Sequence, residues 1–151
     1  MIRIIALVAG PLSLVTQRKG IEAAEALRAW LEVYLAAGVR IIVPEIIDYE
    51  VRRELLRAGK SAGVSRLDSF IAAKSDRYLP ITTGAMKTAA RLWAESRNQG
   101  LPTADPHALD ADVILAAQLL DLGVPQTDFV VVTTNVGHLS RFVPVTTWQS
   151  A

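Results

Sequence analysis

Ile2-Arg3-Ile4-Ile5-Ala6-Leu7-Val8-Ala9-Gly10-Pro11 opens the chain with a near-continuous apolar run that a Gly-Pro pair interrupts. A run of this kind, rich in Ile and Val and without polar alternation, suits a strand buried on both faces of a parallel sheet. It falls well short of the roughly 18 apolar residues that a membrane span needs. No clear small-residue cleavage site follows it, so a cytoplasmic location and no membrane association are expected.

Working outward, two further stretches share that character: residues 39–43, closed by Pro44, and residues 129–132, followed by Thr133-Thr134-Asn135. Between them the apolar spacing changes to threes and fours. In 20–37 it runs through Ala23, Ala24, Leu27, Trp30, Leu31, Tyr34 and Leu35, with Gly38 placed to end a helix. Residues 44–58, with Pro44 at a first-turn position and Gly59 beyond, predict a second helix. Segments 64–74 and 82–98 predict two more, the latter through Ala85, Ala89, Leu92 and Trp93. Asp105-Pro106 resembles an N-cap followed by proline, and 108–122 is apolar almost all round, as in a helix buried against a sheet. Residues 78–81 form either a short strand or a turn, and 143–148 form a weaker edge strand. Strands alternating with helices over 151 residues, with no linker-like block, predict one α/β domain spanning 1–151 around a mainly parallel sheet.

Composition narrows the chemistry. Apolar residues make up 51% of the chain, enough for a core, and there is no cysteine, which removes disulfides, thiolate metal sites and a cysteine nucleophile. Net charge is +1 but unevenly placed: residues 1–50 hold five basic and six acidic groups, 51–100 ten and four, and 101–151 one and five. A basic middle third can follow a phosphate backbone while an acidic last third can hold cations; solvated helix faces are the plainer explanation. No GxGxxG or GxxxxGK[ST] element occurs, Ser13 has no G-x-S-x-G context, and His107 and His138 are isolated. Dinucleotide, P-loop, serine-hydrolase and zinc chemistry are therefore disfavoured.

In a parallel sheet ligands bind beyond the carboxyl ends of the strands, which directs attention to 8–13, to 133–135, and to acids on neighbouring helices. Asp112 precedes Val113-Ile114-Leu115-Ala116-Ala117, where a carboxylate is costly unless it is paired, solvated at a cleft or metal-bound. The structural alternative is that Asp110 and Asp112 are first-turn acids complementing the helix dipole. Glu50 lies beside the apolar side marked by Ile46, Ile47, Val51 and Leu55, and an ion pair with Arg53 or Arg57 is its alternative use. Glu45 and Asp48 read as first-turn acids, and Asn135 as either a site residue or the cap of the following short helical segment.

The order of these pieces, AGPLS at a strand end, helical YEVRREL, helical DADVILAAQ and strand end TTNVGHLSRF, resembles the PIN-domain family and specifically the VapC-like toxin ribonucleases of type II toxin-antitoxin systems. The resemblance covers nearly the whole chain. It implies a three-layer α/β/α PIN-like fold and hydrolysis of RNA phosphodiesters with Mg²⁺ or Mn²⁺ held by clustered carboxylates. By position in the family pattern, Glu50, Asp112 and Asn135 correspond to metal-binding and catalytic residues, and Val8 stands where the family carries its first Asp. Arg52, Arg53 and Arg57, with Lys60, Arg66 and Lys74, would supply backbone contacts to RNA. Also implied are a cognate antitoxin, whose C-terminal segment covers the site, and a homodimer, with Leu92 or Trp93 as candidate interface residues. Hard divalent ions prefer oxygen donors, so neither cysteine nor histidine is required. An isopropyl group cannot coordinate a cation, so the resemblance implies either an impaired ribonuclease or an inactive module that binds an antitoxin or RNA.

Overall fold

The computed structural model describes residues 1–100, 106–134 and 139–148. In chain order the elements are β1 (Ile4–Leu7), α1 (Ala9–Val15), α2 (Glu22–Ala36), β2 (Arg40–Pro44), α3 (Glu45–Arg57), α4 (Ser61–Ala72), β3 (Tyr78–Leu79), α5 (Thr83–Asn98), α6 (Pro106–Leu120), β4 (Phe129–Thr133), a 3₁₀ turn (Leu139–Arg141) and β5 (Val145–Thr147). The strands form one sheet in the order β3-β2-β1-β4-β5, and every pairing is parallel.

Sheet order explains the sequence pattern. β1 lies at the centre, with Ile5 opposite Ile41 of β2 on one side and Val130 of β4 on the other. All four of its residues are buried, as are Ile41, Ile42 and Val43 of β2 and Phe129, Val131 and Val132 of β4. Covering both faces with helices removes the need for polar alternation. Parallel crossovers are right-handed, so the links β1→β2 and β2→β3 carry α1–α4 over one face while β3→β4 carries α5 and α6 over the other. Packing agrees: α1 lies against α2 and α3, α3 against α4, and α5 against α6. The result is the three-layer α/β/α arrangement.

Helix ends follow local chemistry. At the end of α2, Gly38 takes φ +86°, its N–H bonds Leu35 O at 3.0 Å, and the Val39 N–H bonds Tyr34 O at 2.9 Å. That pair of bonds is a Schellman motif, and its left-handed position suits glycine. Thr82 caps α5 by accepting from the Ala85 N–H at 3.0 Å.

Three expectations are corrected. Gly10-Pro11 does not simply end the first strand; it lies within α1, where Pro11 is the third residue and its missing N–H would have had no intrahelical acceptor. Pro44 is the N-cap of α3 and the last residue of β2 rather than a helical residue. Leu92, offered as an interface residue, is only 9% exposed and belongs to the core, whereas its neighbour Trp93 is 38% exposed. The segment 78–81 contributes β3, and 143–148 the edge strand β5. Asp105, as a cap, lies outside the described residues.

Candidate functional site

β1 sends its connection toward β2, whereas β4 sends its own toward β5. The chain therefore diverges between β1 and β4, and the region beyond their carboxyl ends is the topological switch point at which open parallel sheets bind ligands. Val8 stands at this end of the sheet. It follows β1, its N–H donates to Val132 O of β4 at 3.2 Å, and it is the N-cap of α1, extended at φ −91° and with no side-chain cap bond. Opposite it, β4 ends at buried Thr133 and exposed Thr134. These two strand ends approach closely: a β-carbon on Gly10 would come within 2.7 Å of Thr134 Oγ1, so a larger residue in this turn of α1 would force the Thr134 side chain to shift.

Two helices bring acids to the same region. α3 leaves the end of β2 and carries Glu50, while α6 packs against α3 and carries Asp112. Both residues are half-buried. The Glu50 carboxyl is held above its ordinary range first by burial and then by the negative charge of Asp112, with Arg53 acting in the opposite direction. The two carboxylates are thus close enough to repel one another. Helix α6 begins at Pro106 and has no acid in its first turn, so Asp112 lies in the second turn, where the helix dipole gives it little. This corrects the first-turn alternative for Asp110 and Asp112.

Because the folded-state pKa of Glu50 is raised, its contribution to stability is fully present below its ordinary value of 4.5 and is lost as pH rises through the higher folded value. Glu50→Gln is therefore expected to raise the thermal midpoint at neutral pH in EDTA, with the gain disappearing below the ordinary glutamate pKa. Equal midpoints at both pH values would show that Glu50 carries no such electrostatic penalty.

The basic residues of α3 are used unequally. Arg52 donates to Asp48 at 2.9 Å and to Asp68 of α4 at 2.7 Å, and these bonds raise its already high pKa. Asp48 is therefore more than a first-turn acid; buried on α3, it holds Arg52, which ties α3 to Asp68 of α4. Arg57 pairs with Glu54 at 3.0 Å rather than with Glu50. Among the described residues Arg53 makes no ion pair within bonding distance and lies instead 5.1 Å over the Tyr49 ring. Sequence reasoning also missed Gln118, a buried amide that accepts from the Ile46 N–H at 3.3 Å and donates to Leu79 O at 2.8 Å. It locks α3, α6 and β3 together at the site's edge, and Glu45 assists by accepting from the Ile81 N–H at 2.6 Å. A lone glutamine within an apolar helix was the only signal available.

Asn135 and His138 lie outside the described residues. Among the described residues no three His, Asp or Glu side chains gather as a metal cluster. The donor set that is present, two carboxylates with an apolar wall at Val8, suits one hard divalent ion completed by water and a phosphate and does not neutralise two.

No family model matches the sequence, and no curated protein matches it significantly. Solved structures do. A chain from the VapBC2 complex of Rickettsia felis bound to a promoter DNA fragment superposes with a TM-score of 0.73 at 16% identity, over 97% of this chain and 99% of that one. The fold is that of a VapC-like PIN domain. The PIN fold also relates the chain to DNA-bound VapBC from Salmonella typhimurium, with a TM-score of 0.65 at 20% identity over 99% and 100% of the two chains. FitAcB from Neisseria gonorrhoeae gives 0.64 at 18% identity over 93% and 95%. In this PIN scaffold Val8, Glu50 and Asp112 sit on elements that meet at the carboxyl end of the sheet. No helix among the described residues is long and apolar enough to cross a membrane.

Proposed function

We propose that the chain is a VapC-like PIN-domain endoribonuclease toxin whose activity is impaired by Val8. One observation carries this proposal: in a fold shared over nearly its whole length with chains of VapBC complexes, Glu50 and Asp112 come from two helices, α3 and α6, that pack against each other. Glu50, Asp112 and, by its place in sequence, Asn135 would hold a single Mg²⁺ or Mn²⁺. Such an ion stabilises charge on a phosphoryl oxygen and lowers the pKa of bound water. The chain's own residues position the substrate: Arg53 is available for phosphate, while Arg52 and Arg57 add positive potential from their paired positions. The apolar Val8 favours a second reading, a PIN module that binds an antitoxin or RNA without cutting.

Calorimetric titration with Mn²⁺ separates the two. Weak binding at one site, abolished by Asp112→Asn and accompanied by slow cleavage of single-stranded RNA that EDTA stops, is expected for the impaired enzyme. No heat and no cleavage would leave the inactive module.

The solved relatives are toxin-antitoxin complexes, and a cognate antitoxin is proposed for this chain as well. A groove of about 300 Å³ between α2 and α4 suits an apolar segment of such a partner, being lined by Leu31, Leu35, Ile41 and Phe70 and edged by charges of both signs, Arg28, Lys74 and Arg77 with Glu32. Arg77 is 4% exposed, lies 4.1 Å over Phe70, and has an Nε with no partner among the described residues. A homodimer is proposed through α5 and α6, where Met86 and Trp93 are exposed beside a second shallow groove.

A further inference from the structure

Two faces of helix α3 lie side by side near its middle. One carries Glu50. The adjoining face, less than a third of a turn away by helical geometry, carries Tyr49, Arg53 and Leu56. This second face is solvent-facing: Tyr49 is 55% exposed and Leu56 63%, high values for residues that normally bury apolar surface. Arg53 is the arginine of α3 with no carboxylate in direct ion-pair contact among the described residues; Glu50 and Glu54 act on it only at longer range, and it rests over the Tyr49 ring at 5.1 Å. An exposed ring next to an exposed guanidinium without a direct carboxylate partner combines the two groups that bind a single-stranded nucleotide, a stacking surface for a base and a donor fork for phosphate. A surface cation–π pair serving only the helix would account for Tyr49 and Arg53, but not for their place immediately beside Glu50.

We propose that Tyr49 and Arg53 form a nucleotide-positioning platform, in which the Tyr49 ring stacks on an unpaired base and Arg53 holds the neighbouring phosphate, so that the strand is delivered to Glu50 and Asp112. The proposal rests on RNA being the substrate. It predicts tolerance of base identity, because every base offers a flat face, together with a requirement for single-stranded or looped RNA, because a base in a duplex cannot be stacked this way.

The test is fluorescence anisotropy with a short labelled single-stranded RNA of mixed sequence and with an abasic oligonucleotide of the same length, in EDTA so that nothing is cut. Tyr49→Ala is expected to weaken RNA binding by about tenfold, whereas Tyr49→Phe, which keeps the ring, stays within about twofold of the parent. On the abasic strand Tyr49→Ala and parent should bind alike. Arg53→Gln should weaken both ligands and reduce the slope of log affinity against log salt by about one. Circular dichroism checks that the variants are folded, as expected for an exposed ring. If the parent binds RNA and Tyr49→Ala binds equally well, or if Tyr49→Ala loses the abasic strand just as much, the platform is overturned while the ribonuclease proposal stands. If the parent binds no RNA, both fall.

Discussion

Replacing Val8 with aspartate is expected to raise divalent-cation-dependent cleavage of single-stranded RNA by about a hundredfold or more, equivalent to about 3 kcal/mol of transition-state stabilisation. The new carboxylate takes the described acids of the site from two to three and replaces an apolar wall with oxygen donors at the end of a central strand. Its backbone is already held there by the Val8 N–H to Val132 O bond and by the Leu12 N–H, which donates to Val8 O at 2.9 Å. Two effects on stability oppose one another. Aspartate is a favourable N-cap where valine is a poor one, although the cap can reach only the Gly10 N–H because Pro11 at the next position has none. Against this, a third negative charge joins Glu50 and Asp112 until a cation arrives. Added Mg²⁺ should consequently raise the thermal midpoint more in Val8→Asp than in the parent. In the Val8→Asp background, Glu50→Gln or Asp112→Asn should remove the gained cleavage. If Val8→Asp binds no more metal than the parent and cuts nothing, the site assignment is wrong; if the parent already cleaves at the same rate, position 8 has no catalytic part.

Phe129→Ala should cost about 3–5 kcal/mol, a large share of the 5–15 kcal/mol that typically separates folded from unfolded protein. Phe129 is fully buried at the start of β4, paired in register with Ile4 of β1, and among the largest side chains with no exposure at all. Its removal leaves a cavity in a layer held between helices on both sides, where collapse is difficult. Urea unfolding gives the measurement, with a lower midpoint at an unchanged slope. Val33→Ala serves as the comparison: Val33 is apolar too but 68% exposed on α2, and it should change stability by no more than about 0.5 kcal/mol. A loss below about 1 kcal/mol for Phe129→Ala would contradict its place in the core.

The two substitutions differ in how visible their sites are from sequence. Phe129-Val130-Val131-Val132 can be recognised as a buried strand because shielding on both faces leaves no alternation. α2, α3 and α5 are legible for the corresponding reason, since each has one apolar stripe and ends at or near a glycine. α1 is not, because Gly10-Pro11 has the composition of a turn, and only its placement within a first helical turn, where an N–H is dispensable, permits a helix. The bridge from Arg52 to Asp48 and Asp68 is hidden for a different reason. Asp48 lies one turn away and is readable as a helix pair, but Asp68 enters only when α4 packs against α3.

By itself the amino-acid sequence determined most of the strands and every helix but α1, that the sheet is mainly parallel, and that position 8 offers no oxygen to a cation. Those properties are local: they follow from periodicity, from capping residues and from the chemistry of one side chain. The tertiary structure decided the order β3-β2-β1-β4-β5, and with it everything that depends on neighbours. The core strands are all apolar, so nothing in any one of them names its partner. Only the simultaneous burial of both faces and the right-handed crossovers put β1 between β2 and β4. That order sets the switch point beside Val8, brings Glu50 and Asp112 within electrostatic reach of one another, and leaves Tyr49 and Arg53 exposed on α3, because each is a relation between elements that are distant along the chain or between a helix and what does not cover it.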